Sequence, residues 1–183
     1  MRKILFIDRD GTLIKEAPPT YQIDTFEKLE FYPDMFTWVR KIAKDLDFEL
    51  VMVTNQDGLG TASYPEDTFW PIQNFVLKSL ENEEIIFSNV HIDKTLAADD
   101  SPTRKPGTGM LTQYLNNPEY DITGSFVIGD RITDIQLAKN LGCKAIWLNN
   151  DPLLGAEEIS RTDQHFEEII ALETTSWKSI YEY

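Results

Sequence analysis

The chain has 183 residues, 42% of them hydrophobic, and its 31 acidic against 17 basic side chains leave a formal net charge of −14. That length suits one medium domain with a real core, and the acidic surplus argues against a general binder of nucleic-acid phosphates, whose affinity rests on Lys and Arg. Cys143 is the only cysteine, so neither an intramolecular disulfide nor a cysteine-rich zinc site can be built, and no apolar run approaches the roughly 20 residues that span a bilayer.

The first element is the apolar run Ile4 to Ile7, read as a strand buried on both faces and closed at once by Asp8-Arg9-Asp10-Gly11-Thr12. In extended backbone Asp8 and Asp10, two apart, would point the same way at the strand's carboxyl end, where open parallel sheets bind their ligands. Two carboxylates held together repel, which points to a bound metal or a catalytic pair. Residues 15 to 33, broken by Pro18-Pro19 and Pro33, read as a flap beside that site.

Asp34 is the expected N-cap or first-turn acid of a helix whose apolar positions Phe36, Val39, Ile42, Ala43 and Leu46 fall at helical spacing. Phe48 to Val53 is the second buried strand, ending in Thr54-Asn55-Gln56-Asp57-Gly58. Pro65-Glu66-Asp67 resembles a helix start, and a second helix is expected from Phe69 to Leu80 with Pro71 in its first turn, then a strand from Ile85 to Ile92. A polar loop runs from Asp93 to Arg104-Lys105-Pro106, and a third helix is expected from Gly109 to Leu115. The fourth strand, Ser125 to Ile128, leads into Gly129-Asp130 and a helix from Ile135 to Leu141 that Gly142 closes. Lys144 to Leu148 is the fifth strand. In the tail, Phe166 to Leu172 and Trp177 to Tyr181 read as two helices.

Strands alternating with helices predict an α/β, Rossmann-like three-layer sandwich with a mostly parallel sheet, a small flap after the first strand and no large cap domain. Residues 1–150 would form the core, and 151–183 a helical extension or the start of a linker. The first strand begins by residue 4, which leaves no room for a signal peptide, so a cytoplasmic location is expected.

Four motifs in order carry the chemistry: Asp8-x-Asp10-Gly-Thr, the strand-end Thr54, Lys105, and Gly129-Asp130-x-x-x-Asp134. Together they resemble the haloacid-dehalogenase superfamily of aspartate-nucleophile phosphatases. The resemblance implies Asp8 as nucleophile, forming an aspartyl-phosphate, and Asp10 as the acid and base that serves the leaving alkoxide and then water. It implies Mg²⁺ held by Asp8, Asp130 and the backbone carbonyl of Asp10, a hard-oxygen set that suits this ion. Thr54, Asn55 and Lys105 would hold the phosphoryl oxygens, and Asp134 would orient a metal-bound water. His91 and Cys143 read as structural.

Longer stretches resemble the histidinol-phosphate phosphatase half of the bifunctional histidine-biosynthesis proteins: Phe6 to Leu13, Glu16 to Pro19, Val53 to Thr61 and Val127 to Ala138. Asn55-Gln56-Asp57-Gly58 stands where the sister heptose-bisphosphate phosphatases usually read Asn-Gln-Ser-Gly. The resemblance implies a small phosphorylated substrate and, as in the bifunctional proteins, a fused dehydratase domain, while the net charge and the lack of a long apolar run argue against nucleic-acid and membrane partners. The imidazole and ammonium of histidinol phosphate would suit acids near the mouth, for which Glu16 and Asp57 are the candidates. Many relatives carry a zinc-binding Cys/His loop before Arg-Lys-Pro. Here residues 93–103 contain no cysteine and His91 alone cannot make a tetrahedral site, so no structural zinc is expected and local hydrogen bonds must hold the loop.

Overall fold

The structure, a computed structural model, describes residues 1–162 and 165–183. Six parallel strands form one sheet: β1 (Lys3–Ile7), β2 (Phe48–Asn55), β3 (Phe87–Asp93), β4 (Phe126–Gly129), β5 (Lys144–Leu148) and β6 (Ile170–Thr174). Their spatial order is β3-β2-β1-β4-β5-β6. The chain winds outward from β1 through β2 to β3, then returns to lay β4 on the other flank of β1, so the order reverses between β1 and β4. That switch point leaves a crevice outside the carboxyl ends of these two strands, where Asp8 and Asp130 lie.

Alternation along the strands sorts the core into two layers. Leu5, Ile7, Leu50, Met52, Ile128, Ile146 and Leu148 face one side, against α1 (Met35–Asp45), α2 (Glu66–Asn82) and α5 (Trp177–Glu182). Ile4, Phe6, Val51, Val53, Val127, Ala145 and Trp147 face the other, against α3 (Ile132–Leu141), Leu111 and Tyr114. A sheet covered on both faces is why these strands read as unbroken apolar runs. The helix α4 (Pro152–Ser160) lies beside α3.

Several elements differ from the sequence expectation. In the segment read as a helix over 166–172, residues 167–169 form a turn and Ile170 opens the edge strand β6, paired in parallel with β5 from Ala145↔Ile170 to Leu148↔Thr174. The helix expected from Gly109 shrinks to a 3-10 turn, Gly109–Leu111, because Gly109 packs against the Pro102 backbone and donates its N–H to the Pro102 carbonyl at 2.8 Å. Asp34 occupies the N-cap of α1 but sits in the left-handed region, φ 59°, and its side chain caps nothing. Pro71 lies inside α2, in its second turn, so the Asp67 carbonyl lacks its usual helical donor. The helix α4 has a clear sequence signal: Asp151 accepts from the Leu153 and Leu154 N–H groups, with Pro152 at the first helical position.

Candidate active site

The strand β1 stops at Ile7, and Asp8, Arg9 and Asp10 enter a tight loop rather than continuing extended. The Arg9 carbonyl accepts from both Leu13 N (2.9 Å) and Ile14 N (3.1 Å), turning the chain back under the flap. Asp8 and Asp10 therefore share a cavity because the loop folds, not because a strand alternates. That cavity, of about 400 Å³, is lined by Asp8, Asp10, Thr54, Asn55, Gln56 and Lys105 below and by Glu16, Tyr21, Asp57, Arg104, Arg131 and Glu158 toward the mouth.

At its floor, Lys105 Nζ lies 2.8 Å from Asp8 Oδ1 and 2.8 Å from Asp134 Oδ1, with all three side chains buried. Burial opposes the Lys105 ammonium, yet Asp134 and Asp8 together raise its pKa above the ordinary lysine value. Burial raises the Asp8 carboxyl to about 7; Lys105 opposes the shift, while Asp134 and Asp10 add to it. Asp130 is pushed well above the usual carboxylate range, by burial first and then by Asp8 and Asp134. One ammonium cannot neutralise three carboxylates gathered out of water.

Two glycines make this gathering possible. A Cβ at Gly11, whose φ is +73°, would lie 2.1 Å from Asp130 Oδ2, and one at Gly129 would lie 2.2 Å from Asp134 Cγ. The glycines of the first and last motifs thus exist to let carboxylates approach backbone. Asp8, Asp130 and Asp134 are the one group of His, Cys, Asp or Glu among the described residues whose ligand atoms could surround an ion, all lying within 4.8 Å of one another. Asp130 Oδ1 is buried with no hydrogen-bond partner. A surplus of buried carboxylate oxygen with one oxygen unpaired fits a hard divalent cation.

Each expected residue has a definite place. Asp134 closes the first turn of α3, accepting the Arg131 N–H at 3.2 Å, and holds Lys105 with its other oxygen. Asn55 clamps the Lys105 backbone: its Oδ1 accepts from Lys105 N (3.0 Å) and its Nδ2 donates to Lys105 O (3.2 Å). Its amide therefore aims the lysine. Thr54 is 1% exposed and accepts from Gln56 Nε2 at 2.9 Å. The Asp10 carboxylate accepts from Arg9 Nη1 (3.2 Å to each oxygen) and from Gln56 Nε2 (2.5 Å).

The two rim acids are both ion-paired. Glu16 accepts from Arg131 Nε (3.2 Å) and Nη2 (2.7 Å), while Arg131 Nη1 reaches Glu158 at 2.9 Å. Burial would lower the Arg131 pKa, but these carboxylates raise it above its ordinary value. Asp57 is bound by the Arg104 guanidinium, one contact being 3.2 Å from Nη2. Arg131, Glu158, Tyr64 and Gln56 were not singled out from sequence. Gln56 at least sits inside a quoted motif, whereas Glu158 lies in the tail with nothing to mark it.

The loop at 93–103 is organised on Asp93, 4% exposed, which accepts from Thr95 N at 2.9 Å and from the Thr95 and Thr103 hydroxyls. Arg104 adds a bond to the Thr95 carbonyl at 3.1 Å. Local hydrogen bonds therefore hold this loop. His91 shares a 3.3 Å contact with the Tyr114 hydroxyl at the edge of the core.

Residues 102–161 match the family described as HAD-hydrolase-like. Over its whole length the chain is 54% identical to the "Histidine biosynthesis bifunctional protein HisB" of Bacteroides fragilis, of which it covers 47%. It is 52% identical to the protein of the same name from Spirosoma linguale, covering 48% of it. The chain thus spans about half the length of the curated relatives it matches. Among solved structures it superposes on the D,D-heptose 1.7-bisphosphate phosphatase from B. bronchiseptica, complexed with magnesium and phosphate, with TM-score 0.81 and 19% identity over 100% of this chain and 97% of that one. At that identity the likeness is one of fold. Motif order, the family match over residues 102–161 and the full-length identity point the same way: the chain is similar to the haloacid-dehalogenase-like hydrolases and, in fold, to a phosphatase.

Proposed function

We propose that this chain is a Mg²⁺-dependent phosphomonoesterase that works through an aspartyl-phosphate on Asp8, with histidinol phosphate as its substrate. The observation that carries the chemistry is the floor of the cavity, where a buried Asp8 lies 2.8 Å from the Lys105 ammonium beside two further carboxylates. Asp8 and Asp130, with the Asp10 carbonyl expected as a third ligand, would hold the cation, which when bound supplies positive charge for the phosphoryl oxygens and lowers their repulsion toward a nucleophile.

Asp8 Oδ attacks phosphorus, forming the Asp8–phosphorus bond as the ester P–O bond breaks, and Asp10 passes a proton to the departing alkoxide. Asp10 then takes a proton from water as that water attacks phosphorus, which breaks the acyl-phosphate bond, restores Asp8 and releases phosphate. Lys105, aimed by Asn55 and held by Asp134, balances charge on the phosphoryl oxygens, and Thr54 offers them its hydroxyl. Asp134 serves this reading by fixing Lys105, with the orientation of metal-bound water as its further role.

The substrate assignment rests on 54% identity over the full chain to a protein of histidine biosynthesis. Glu16 and Asp57 would face the cationic end of the substrate at the rim, each sharing its charge with an arginine. A heptose-bisphosphate or other sugar-phosphate phosphatase is the second reading, favoured by the fold likeness at TM-score 0.81. A nucleic-acid 3′-phosphatase is opposed by the net charge of −14. The curated relatives are named bifunctional and are about twice as long, which supports a fused dehydratase domain in the native protein. Among the described residues no helix is long and apolar enough to cross a membrane, and a cytoplasmic enzyme suits the proposed pathway.

The test is phosphate release with Mg²⁺ from histidinol phosphate, heptose bisphosphate and a 3′-phosphorylated oligonucleotide. Histidinol phosphate should show the highest kcat/KM, and Asp8→Asn should abolish turnover on every substrate. Retained activity in Asp8→Asn would remove it as nucleophile.

A further inference from the structure

The mechanism asks one carboxylate, Asp10, to serve as acid and then as base, yet the hydrogen bonds of Asp10 run to Arg9 and Gln56 rather than to Lys105. A separate device orders it. Gln56 is 4% exposed, and every polar atom of its side chain is engaged. Its Nε2 donates to Asp10 Oδ2 (2.5 Å) and to Thr54 Oγ1 (2.9 Å), and its Oε1 accepts from the Tyr64 hydroxyl at 3.3 Å. The Gln56 backbone is pinned as well, its N–H donating to the Asp93 carbonyl at 2.7 Å. Tyr64 is 1% exposed, and its single hydroxyl proton is shared between Gln56 Oε1 and the Ile23 carbonyl of the flap, each at 3.3 Å.

Arg9 supports the same carboxylate. Its side chain is fully buried, with the guanidinium carbon 5.1 Å from the Phe69 ring centre and Nη1 bridging both Asp10 oxygens. Nε and Nη2 are buried without partners. Burying a guanidinium so incompletely paired is costly. The Asp10 contact is the evident return, since the carboxylate is then held by two buried donors, Arg9 Nη1 and Gln56 Nε2.

The geometry points to Gln56 as the residue that positions Asp10 for proton transfer, with Tyr64 fixing the Gln56 amide and Arg9 holding both carboxylate oxygens. The inference rests on the reading of Asp10 as acid and base, and goes beyond it by naming what aims that group. Gln56 acts through Asp10, so its loss should be felt where the leaving group needs a proton and much less where it does not.

The experiment compares kcat/KM for an alkyl phosphate (histidinol phosphate) with that for p-nitrophenyl phosphate, whose phenolate departs unprotonated. Gln56→Leu should lower the alkyl value by about tenfold to a hundredfold, within the range of general-acid effects, and the aryl value by less than about threefold. Tyr64→Phe, which keeps the ring packed and deletes only the hydroxyl, should shift the ratio the same way by a smaller factor. It therefore covers the case in which Gln56→Leu does not fold. Asp10→Asn calibrates the assay with a larger selective fall. A selective fall in Asp10→Asn but equal falls on both substrates in Gln56→Leu and Tyr64→Phe would overturn the positioning role and leave the mechanism standing. A wild-type enzyme active on neither substrate, or an Asp10→Asn enzyme with no selectivity, would overturn the acid–base reading and this inference with it.

Discussion

The floor and the rim of the cavity are built from the same kinds of residue, basic side chains set against carboxylates, yet they differ in what those pairs can do. At the floor, Lys105, Asp8 and Asp134 have side-chain exposures of 3%, 10% and 2%, so charge there is expensive and pKa values move. At the rim, Asp57 is 48% exposed and its pairing with Arg104 is screened by water. Arg131 and Glu16 are intermediate, at 25% and 22%. The lesson is a division of labour. Buried pairs hold a reactive group in a charge state and position it would not keep in water, whereas a half-exposed pair can exchange its partner for a substrate at little cost.

Breaking the floor should have the largest effect. Lys105→Met keeps the volume but strands Asp8 and Asp134 without a cation; kcat/KM should fall by about a hundredfold to a thousandfold, the scale of losing one preorganised charge donor. In metal-free protein at neutral pH, denaturant unfolding should show a loss of about 3–5 kcal/mol, as expected when one partner of a buried pair is removed. A variant as stable as wild type would mean that the cluster is not held by Lys105.

A middle-sized effect should appear in the coupling of protons to metal. Asp8 rises from 3.8 to about 7 in the folded chain, and Asp130 is raised as well. Between these limits the folded metal-free chain binds more protons than the unfolded chain, so its stability falls as pH rises from about 4 toward about 7. A divalent cation binds the ionised carboxylates and competes with those protons. Added Mg²⁺ should therefore raise the Tm more at about pH 7.5 than at about pH 5. Equal gains at both pH values would show that these carboxylates do not hold it.

The smallest effect belongs to the rim. Asp57→Ala should raise KM for histidinol phosphate by about two- to fivefold, the worth of an exposed charge contact, while p-nitrophenyl phosphate is unaffected. Equal changes for both substrates would take Asp57 out of substrate recognition and leave it as a partner for Arg104.

Five of the six strands, the parallel sheet and the order of the motifs were legible before any coordinates, because strands covered on both faces leave unbroken apolar runs and carboxylate motifs stand out at their ends. The sixth strand was not. The spacing of Phe166, Ile169, Ile170 and Leu172 suits a helix, but the open edge of β5 offers backbone partners that outweigh so short a pattern. The stretch after Lys105 misled for a similar reason. Gly109 begins a helix-like run, but close packing on the Pro102 backbone ends it after one turn.

By itself the sequence determined which residues carry reactive groups and at which strand ends they emerge, since residue type and local apolar pattern are properties of neighbours along the chain. Only the tertiary structure decided what each group is joined to: Asn55 with the Lys105 backbone, Asp134 with the Lys105 ammonium, Glu16 with Arg131 across 115 positions, and Gln56 with Asp10 across 46. Such pairings form where separate loops converge over the switch point of the sheet, and there burial sets the strength of each charge. No local pattern records that convergence, because its energy belongs to partners distant along the chain and to the water they exclude.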